Sequence, residues 1–243
     1  MGSTSIFHGS KEHLYQTLTP VFLEFFDSNH IFFEFLGYSM SYLEFFGVVT
    51  GGIAVWLSAK GNIWSWPFGA VSVFLLFFLF FQVQLYPDMF LQAFFFVTNL
   101  IGWWRWAHPK EGEEDKKNEL RISYMLPKQW LVFSGIGVMG TLIAGIMASH
   151  LHEWLPGIFA LPSAFPYIDS FVTVMSIVAT FLMVRKNVEC WAVWILVDAV
   201  ATGLYFVKGI KLLGLEYLVF CFIAAFGLWN WIKEYRSYFT KTA

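Results

Sequence analysis

Apolar residues run through this chain in long blocks with neither a strand period nor an amphipathic stripe. Segments such as Val71–Phe81 are apolar all round, a pattern that belongs in lipid or a deep core. Runs of the length a bilayer requires, about 20 residues, predict helices over 41–58, 67–85, 88–106, 130–149, 168–184, 190–207 and 213–232. Backbone polar groups in hydrocarbon need partners within their own segment, so all seven are expected to be helical. The predicted fold class is an all-α integral membrane protein. Ahead of these spans, Leu14–Leu36 is apolar but broken by Pro20, Glu24, Asp27, Asn29, His30 and Glu34, which predicts a pair of interfacial helices.

A shift of 125 positions superimposes related residues without a gap: Glu44 on Asp169, Lys60 on Arg185, Asn62 on Asn187, Trp66 on Trp191, Gly102 on Gly227, Trp104 on Trp229 and Trp106 on Trp231. Each half holds three helices, so one linking span is needed to restore direction. The expected architecture is a 3+1+3 parallel repeat, with a solute site near the midplane where the halves meet. Its parts are an N-terminal interfacial segment (1–39), a first repeat (40–106), a loop (107–129), a linking helix (130–150), a second repeat (165–232) and a tail (233–243).

Composition agrees with this pattern: 58% of residues are hydrophobic, 21% aromatic and 13% charged, which excludes an ordinary soluble domain. A net charge of −2 excludes a basic nucleic-acid-binding surface. Lys60, Arg105, Lys110, Lys116, Lys117, Arg121, Lys128, Arg185, Lys186, Lys233, Arg236 and Lys241 fall on one side of the spans; only Lys11, Lys208 and Lys211 fall on the other. The positive-inside rule then places the N-terminus outside and the C-terminus in the cytoplasm. The charge run Pro109–Glu119 reads as part of a solvated cytoplasmic loop. Cys190 and Cys221 sit in apolar runs and read as packing residues, and Gly2–Gly9 lacks the pattern of a cleaved signal peptide.

Polar groups within spans are candidates for function because leaving them in hydrocarbon is costly. Asp88, Gln92 and Asn99 share one face of the third span. Trp191, Trp194 and Asp198 share a stripe of the sixth, with Tyr205 beyond them, and Glu216 and Tyr217 lie in the seventh. Trp66 is the repeat equivalent of Trp191. Thr173, Ser176 and Thr180 lie on the face of Asp169 in the fifth span. Glu44 and Asp169 fall in first helical turns, where a carboxylate meets the positive end of the helix dipole. Trp103, Trp104, Trp106, Trp229 and Trp231 read as interfacial anchors. An unpaired carboxylate beside indole faces and amides suits a small, flat, cationic solute bearing hydroxyl or amide groups, with sugars a second class. The chain has no ATP-binding glycine loop, no H-E-x-x-H and no G-x-S-x-G, so the expectation is a passive carrier without metal or cofactor, not an enzyme.

Asn62–Gly69, Gln84–Gln92, Asn99–Trp103 and the Trp191-Ala-Val-Trp194 run with Asp198 together resemble the PnuC-type bacterial vitamin transporters. The likeness covers about 40–240. It implies a SWEET-like seven-helix 3+1+3 fold in the bacterial inner membrane, importing nicotinamide riboside by facilitated diffusion, with trapping by a cytoplasmic riboside kinase. By the same resemblance Trp191, Trp194, Asp198, Gln92 and Asn99 match the family's substrate positions, while the Phe-rich extension before residue 37 has no counterpart. Sister groups carrying thiamine or riboflavin share the architecture. A membrane scaffold or receptor is the reading of another class, and the chain is compatible with a homo-oligomer.

Overall fold

The structure is a computed structural model that describes residues 24–35, 38–83, 86–155, 157 and 163–240, with the side chains of 35, 38, 86–88 and 212 excepted. Its helices are α1 (Tyr42–Ala59), α2 (Ser65–Gln82), α3 (Tyr86–Ala107), α4 (Pro127–Trp154), α5 (Pro166–Val184), α6 (Glu189–Val207) and α7 (Lys211–Thr240). Among the described residues, all of these except α3 are both long and apolar enough to cross a membrane. α3 has 22 residues, about 33 Å of helix, but carries Gln92, Asn99 and Arg105. The predicted spans agree with the helices closely; α4 and α7 run several residues further at 28 and 30 residues.

The N-terminal expectation needs correction. Strands β1 (Ile31–Phe35) and β2 (Tyr38–Ser41) form an antiparallel hairpin pairing Phe33 with Met40 and Phe35 with Tyr38, where interfacial helix was expected. The Ile-Phe-Phe-Glu-Phe sequence favours extended backbone. Asp27 starts the break, its carboxylate accepting the Asn29 N–H at 2.9 Å. Residues 14–23 and 36 of the predicted helix pair lie outside the described residues.

The chain divides into two compact units, Met1–Ala54 with Pro67–Asn99, and Val55–Trp66 with Leu100–Ala243. In the first, Gln82 holds the N-terminal turn: its amide donates to Phe26 O at 2.6 Å and its carbonyl accepts from Ser28 N at 2.9 Å. Phe25 and Phe32 pack on Tyr42 and Phe46, and Phe26 meets Phe78 edge-on. Ser72 donates to Gly47 O at 2.8 Å, tying α2 to α1.

In the second unit α4 packs on α5, α5 on α6 and α6 on α7. Gly137 and Gly140 of α4 admit Met175 and Val174 of α5 close to the backbone, the small-residue contact that membrane helices use where apolar burial supplies no force. The two turns that precede α2 and α6 are built alike. Gly61 and Lys186 have φ of 65° and 56°; Asn62 N donates to Leu57 O, and Asn187 N to Leu182 O, each at 3.0 Å. A Cβ on Gly102 would collide with Trp66, and one on Gly227 would lie 2.7 Å from Trp191. Trp106 Nε1 donates to Met183 O at 3.1 Å and Trp231 Nε1 to Ser58 O at 3.0 Å, so residues 125 apart make reciprocal bonds.

These tryptophans correct a second expectation. Trp106 and Trp231 are 0% exposed and sit in the core, not at an interface; Trp103, Trp104 and Trp229 are exposed. The charge run Pro109–Glu119 is largely exposed, but the residues that follow it turn into the core. Leu120, Ile122 and Met125 are buried in the same core, Leu120 N donates to Trp106 O, and Ser123 pairs with the 186–188 turn. Lys186, counted among the basic residues of the connections, is 2% exposed with its ammonium 4.3 Å from the Trp106 ring centroid. Burial lowers its pKa to about 8.

Candidate functional site

The candidate residues fall in both units, and each set is built on one helix face. In the first unit α3 carries Asp88, Gln92 and Asn99. Asp88 lies in the first turn, with its side chain outside the described residues. Gln92 is half-buried and makes no side-chain hydrogen bond among the described residues, so both ends of its amide are free to meet a solute. Asn99 is tethered: its Nδ2 donates to Phe95 O at 2.8 Å, and its Oδ1 occupies the space a Cβ on Gly69 would take. Gly69 thus leaves the Asn99 amide oxygen room to seat against α2.

In the second unit α6 carries Trp191, Trp194, Asp198 and Tyr205, at the helical spacing that puts them along one stripe. Asp198 is 3% exposed, and its carboxylate has no hydrogen bond or ion pair among the described residues. Its neighbours across α7 are Tyr217 and Cys221, both within its electrostatic reach. Tyr217 stacks on Tyr205 with ring centroids 5.3 Å apart and planes 8° from parallel. Cys221, four residues after Tyr217 and on the same face, donates weakly to Ile195 O at 3.9 Å. That i, i+4 spacing was the signal for Cys221, which sequence reasoning assigned to packing alone. Glu216 is half-buried and already engaged in an interaction.

Trp66 and Trp191, 125 positions apart, behave differently from Trp194. Trp191 is 1% exposed and meets Trp231 edge-on at 5.5 Å; Trp66 is similarly buried and meets Trp106 edge-on at 5.2 Å. Both serve as core residues in this conformation, whereas Trp194 is half-buried at the core's margin. The indole N–H groups of Trp66, Trp191 and Trp194 have no acceptor among the described residues. Such buried donors are normally satisfied, and these three are disposed to accept a partner.

The other polar candidates are internally satisfied. Thr173, Ser176 and Thr180 each donate to the carbonyl four residues earlier in α5, so they offer no free hydroxyl proton. Asp169 pairs with Lys208 at 2.6 Å and fastens the start of α5 to the end of α6.

An unpaired carboxylate, a stacked tyrosine pair and a spare indole donor bind and orient; they do not form a nucleophile with its base. No group of His, Cys, Asp and Glu suited to a metal ion occurs among the described residues.

Comparison with known proteins identifies the family. The family described as nicotinamide mononucleotide transporter matches residues 41–233. The nicotinamide riboside transporter PnuC of Escherichia coli (strain K12) is 34% identical over 216 residues, covering 83% of this chain and 89% of that protein. The riboflavin/roseoflavin transporter RibM of Streptomyces davaonensis is 25% identical over 185 residues, covering 76% of this chain and 82% of the relative. A crystal structure of the vitamin B3 transporter PnuC superimposes with a TM-score of 0.60 at 26% identity, over 98% of this chain and 95% of that one. Matched across most of its length in family, sequence and fold, the chain belongs to the PnuC-type nicotinamide mononucleotide transporter family, a family of multi-pass membrane transporters and not of enzymes.

Proposed function

We propose that this chain imports nicotinamide riboside across the bacterial inner membrane by facilitated diffusion, through alternating access, with a cytoplasmic riboside kinase trapping the product. The observation that carries the reading is Asp198, a buried carboxylate without a partner among the described residues, beside the stacked Tyr205 and Tyr217. Nicotinamide riboside is a flat pyridinium cation. The carboxylate offsets its charge and the aromatic rings receive its face. A mononucleotide adds phosphate charge of the wrong sign for Asp198, and riboflavin has no cation for it to meet. Thiamine, also flat and cationic, is the second reading, and the same geometry favours it over riboflavin.

The remaining parts of the proposal rest on other supports. The reciprocal bonds of residues 125 apart favour the 3+1+3 parallel repeat, with α4 as the linker and α3 as the seventh span. The distribution of lysine and arginine favours an outer N-terminus and a cytoplasmic C-terminus. Gln92 and Asn99 are the polar groups of the first unit that we assign to the solute, with Asp88 at the helix start. In the second unit Trp194, Asp198 and Tyr217 are assigned to direct contact. Trp66 and Trp191 meet the solute only if core packing opens during the cycle, and Glu216 acts at the margin.

The test is calorimetric binding of nicotinamide riboside, nicotinamide mononucleotide, thiamine and riboflavin to the purified protein, with no ion gradient or nucleotide. Nicotinamide riboside should bind saturably, and Asp198→Asn should weaken it by roughly tenfold or more, the loss of one charge-assisted contact. Equal binding of riboflavin, or an unchanged affinity in Asp198→Asn, would overturn the assignment. Counterflow of unmodified riboside in liposomes without a gradient tests the passive mechanism.

A further inference from the structure

Away from the candidate solute residues, at the end where α3 stops, α4 begins and α5 ends, two cavities adjoin. One, of about 450 Å³, is lined by Arg105, Lys110, Arg185 and Asn187 among others, with Glu113 as its single carboxylate. The other, of about 390 Å³, runs along α4 and α5 over Val132, Phe133, Ile136 and Phe181, with Lys128 at its side. Gln129 and Arg185 line both, so the polar chamber and the apolar groove lie side by side.

Charge in the polar chamber is not self-cancelling. Glu113 is held by Arg105 Nη2, leaving Arg105 Nη1 buried without a partner among the described residues. Arg185 has no carboxylate partner among the described residues, and its guanidinium lies 5.5 Å from the Phe133 ring centroid, where groove meets chamber. The first turn of α4 also opens here. Its N-cap Leu126 offers no side-chain acceptor, but Gln129 Oε1 accepts from Leu126 N at 2.8 Å and Pro127 carries no N–H, so the charge here comes from side chains, with Lys128 in this first turn. Val132, Ile136 and Phe181 are exposed along helices that lie in the bilayer.

We propose that these joined cavities hold one anionic phospholipid, its phosphate in the chamber against Arg105 and Arg185 with Lys128 beside it, and an acyl chain along the groove of Val132, Phe133, Ile136 and Phe181. A phosphate diester accepts from guanidinium and ammonium groups at once. The contiguous apolar groove is what distinguishes a lipid from free phosphate. This inference requires only that the helices sit in a bilayer, so it stands or falls apart from the identity of the solute.

The test uses the full-length protein, delipidated in detergent, with native mass spectrometry as readout. Phosphatidylglycerol and phosphatidylcholine of identical acyl chains are titrated separately, with inorganic phosphate as competitor. Phosphatidylglycerol should bind with one tight site and on the order of tenfold preference, the effect of two or more nearby cations on an anionic headgroup. The double variant Lys128→Ala/Arg185→Ala should lose that preference, and Ile136→Trp, which fills the groove from the lipid side, should weaken both lipids. Equal binding of the two lipids by the wild type would overturn the proposal without recourse to any variant. Displacement of phosphatidylglycerol by millimolar phosphate, with phosphate still bound in Ile136→Trp, would overturn it in favour of a free-anion site.

Discussion

Raising the pH should stabilise this protein through Lys186. Its ammonium lies over the Trp106 ring with no ion pair among the described residues, and burial takes its pKa from 10.5 to about 8. Below pH 8 the lysine is charged in both folded and unfolded chains. Between pH 8 and 10.5 the unfolded chain holds a proton that the folded one has released, so stability rises with pH over that window. The gap between those two values corresponds to roughly 3 kcal/mol. The indole face restores up to about 2 kcal/mol to the charged form, leaving a gain of about 1–3 kcal/mol across the window. Lys186→Met keeps the buried stem and removes the charge. It should therefore exceed the wild type by about 1–3 kcal/mol at pH 7, a few degrees in Tm at roughly 2–4 °C per kcal/mol, and converge on it by pH 10.5. Thermal unfolding in detergent, followed by tryptophan fluorescence at intervals from pH 7 to 10.5, measures the difference; the other titrating groups are common to both proteins and cancel. A difference that does not change with pH, or a variant less stable at pH 7, would refute the argument.

Other consequences are as direct. Gly227→Ala forces a methyl into the Trp191 ring and should destabilise by about 1–3 kcal/mol despite the better helix propensity, read as a lowered Tm. Trp106→Phe and Trp231→Phe each remove one indole N–H from a buried carbonyl and should cost similar amounts, about 1–3 kcal/mol apiece, in the same assay. Trp191→Ala should cost about 3–5 kcal/mol by opening the core, so its effect on binding must be read against folded fraction, whereas Asp198→Asn should leave the unfolding midpoint nearly intact. Arg105, by hydrogen-bonding Glu113, holds that carboxyl below its ordinary value of 4.5. The stabilisation of the 108–126 loop is present above that value and lost as pH falls through the folded value. Hydrogen exchange of the loop should accelerate on acidification, and Glu113→Gln should show the faster exchange already at pH 7.

Much of the fold was legible because membrane helices announce themselves by length and continuous apolarity. The boundaries of α1, α5 and α6 fall within two residues of expectation for that reason. The offset of 125 matched Trp66 with Trp191 and Gly102 with Gly227; that each indole packs on a glycine, Trp66 on Gly102 and Trp191 on Gly227, only the structure shows. What composition could not reveal was depth. Trp106 and Trp103 are chemically identical and three positions apart at one helix end, yet one is buried and the other exposed, because only Trp106 faces the turn that presents Met183 O. Lys186 reads as a solvated charge until the loop segment 120–125 is seen to cover its turn. The hairpin at Ile31–Ser41 was missed since a short aromatic run has no period that separates strand from helix. Of the candidate site, the stripe on α6 was legible from spacing, while the vacancy of Asp198 and the pairing of Asp169 with Lys208 depend on which helix stands opposite.

The indole bonds of Trp231 to Ser58 O and Trp106 to Met183 O also bear on the order in which the protein is made. Ser58 O lies at the end of α1, among the first helices to leave the ribosome, and its partner Trp231 lies on α7, the last. Trp106 likewise waits for Met183. Each bond therefore waits on a segment made much later than its first partner. A chain cut short before Trp231 would leave Ser58 O without its indole donor.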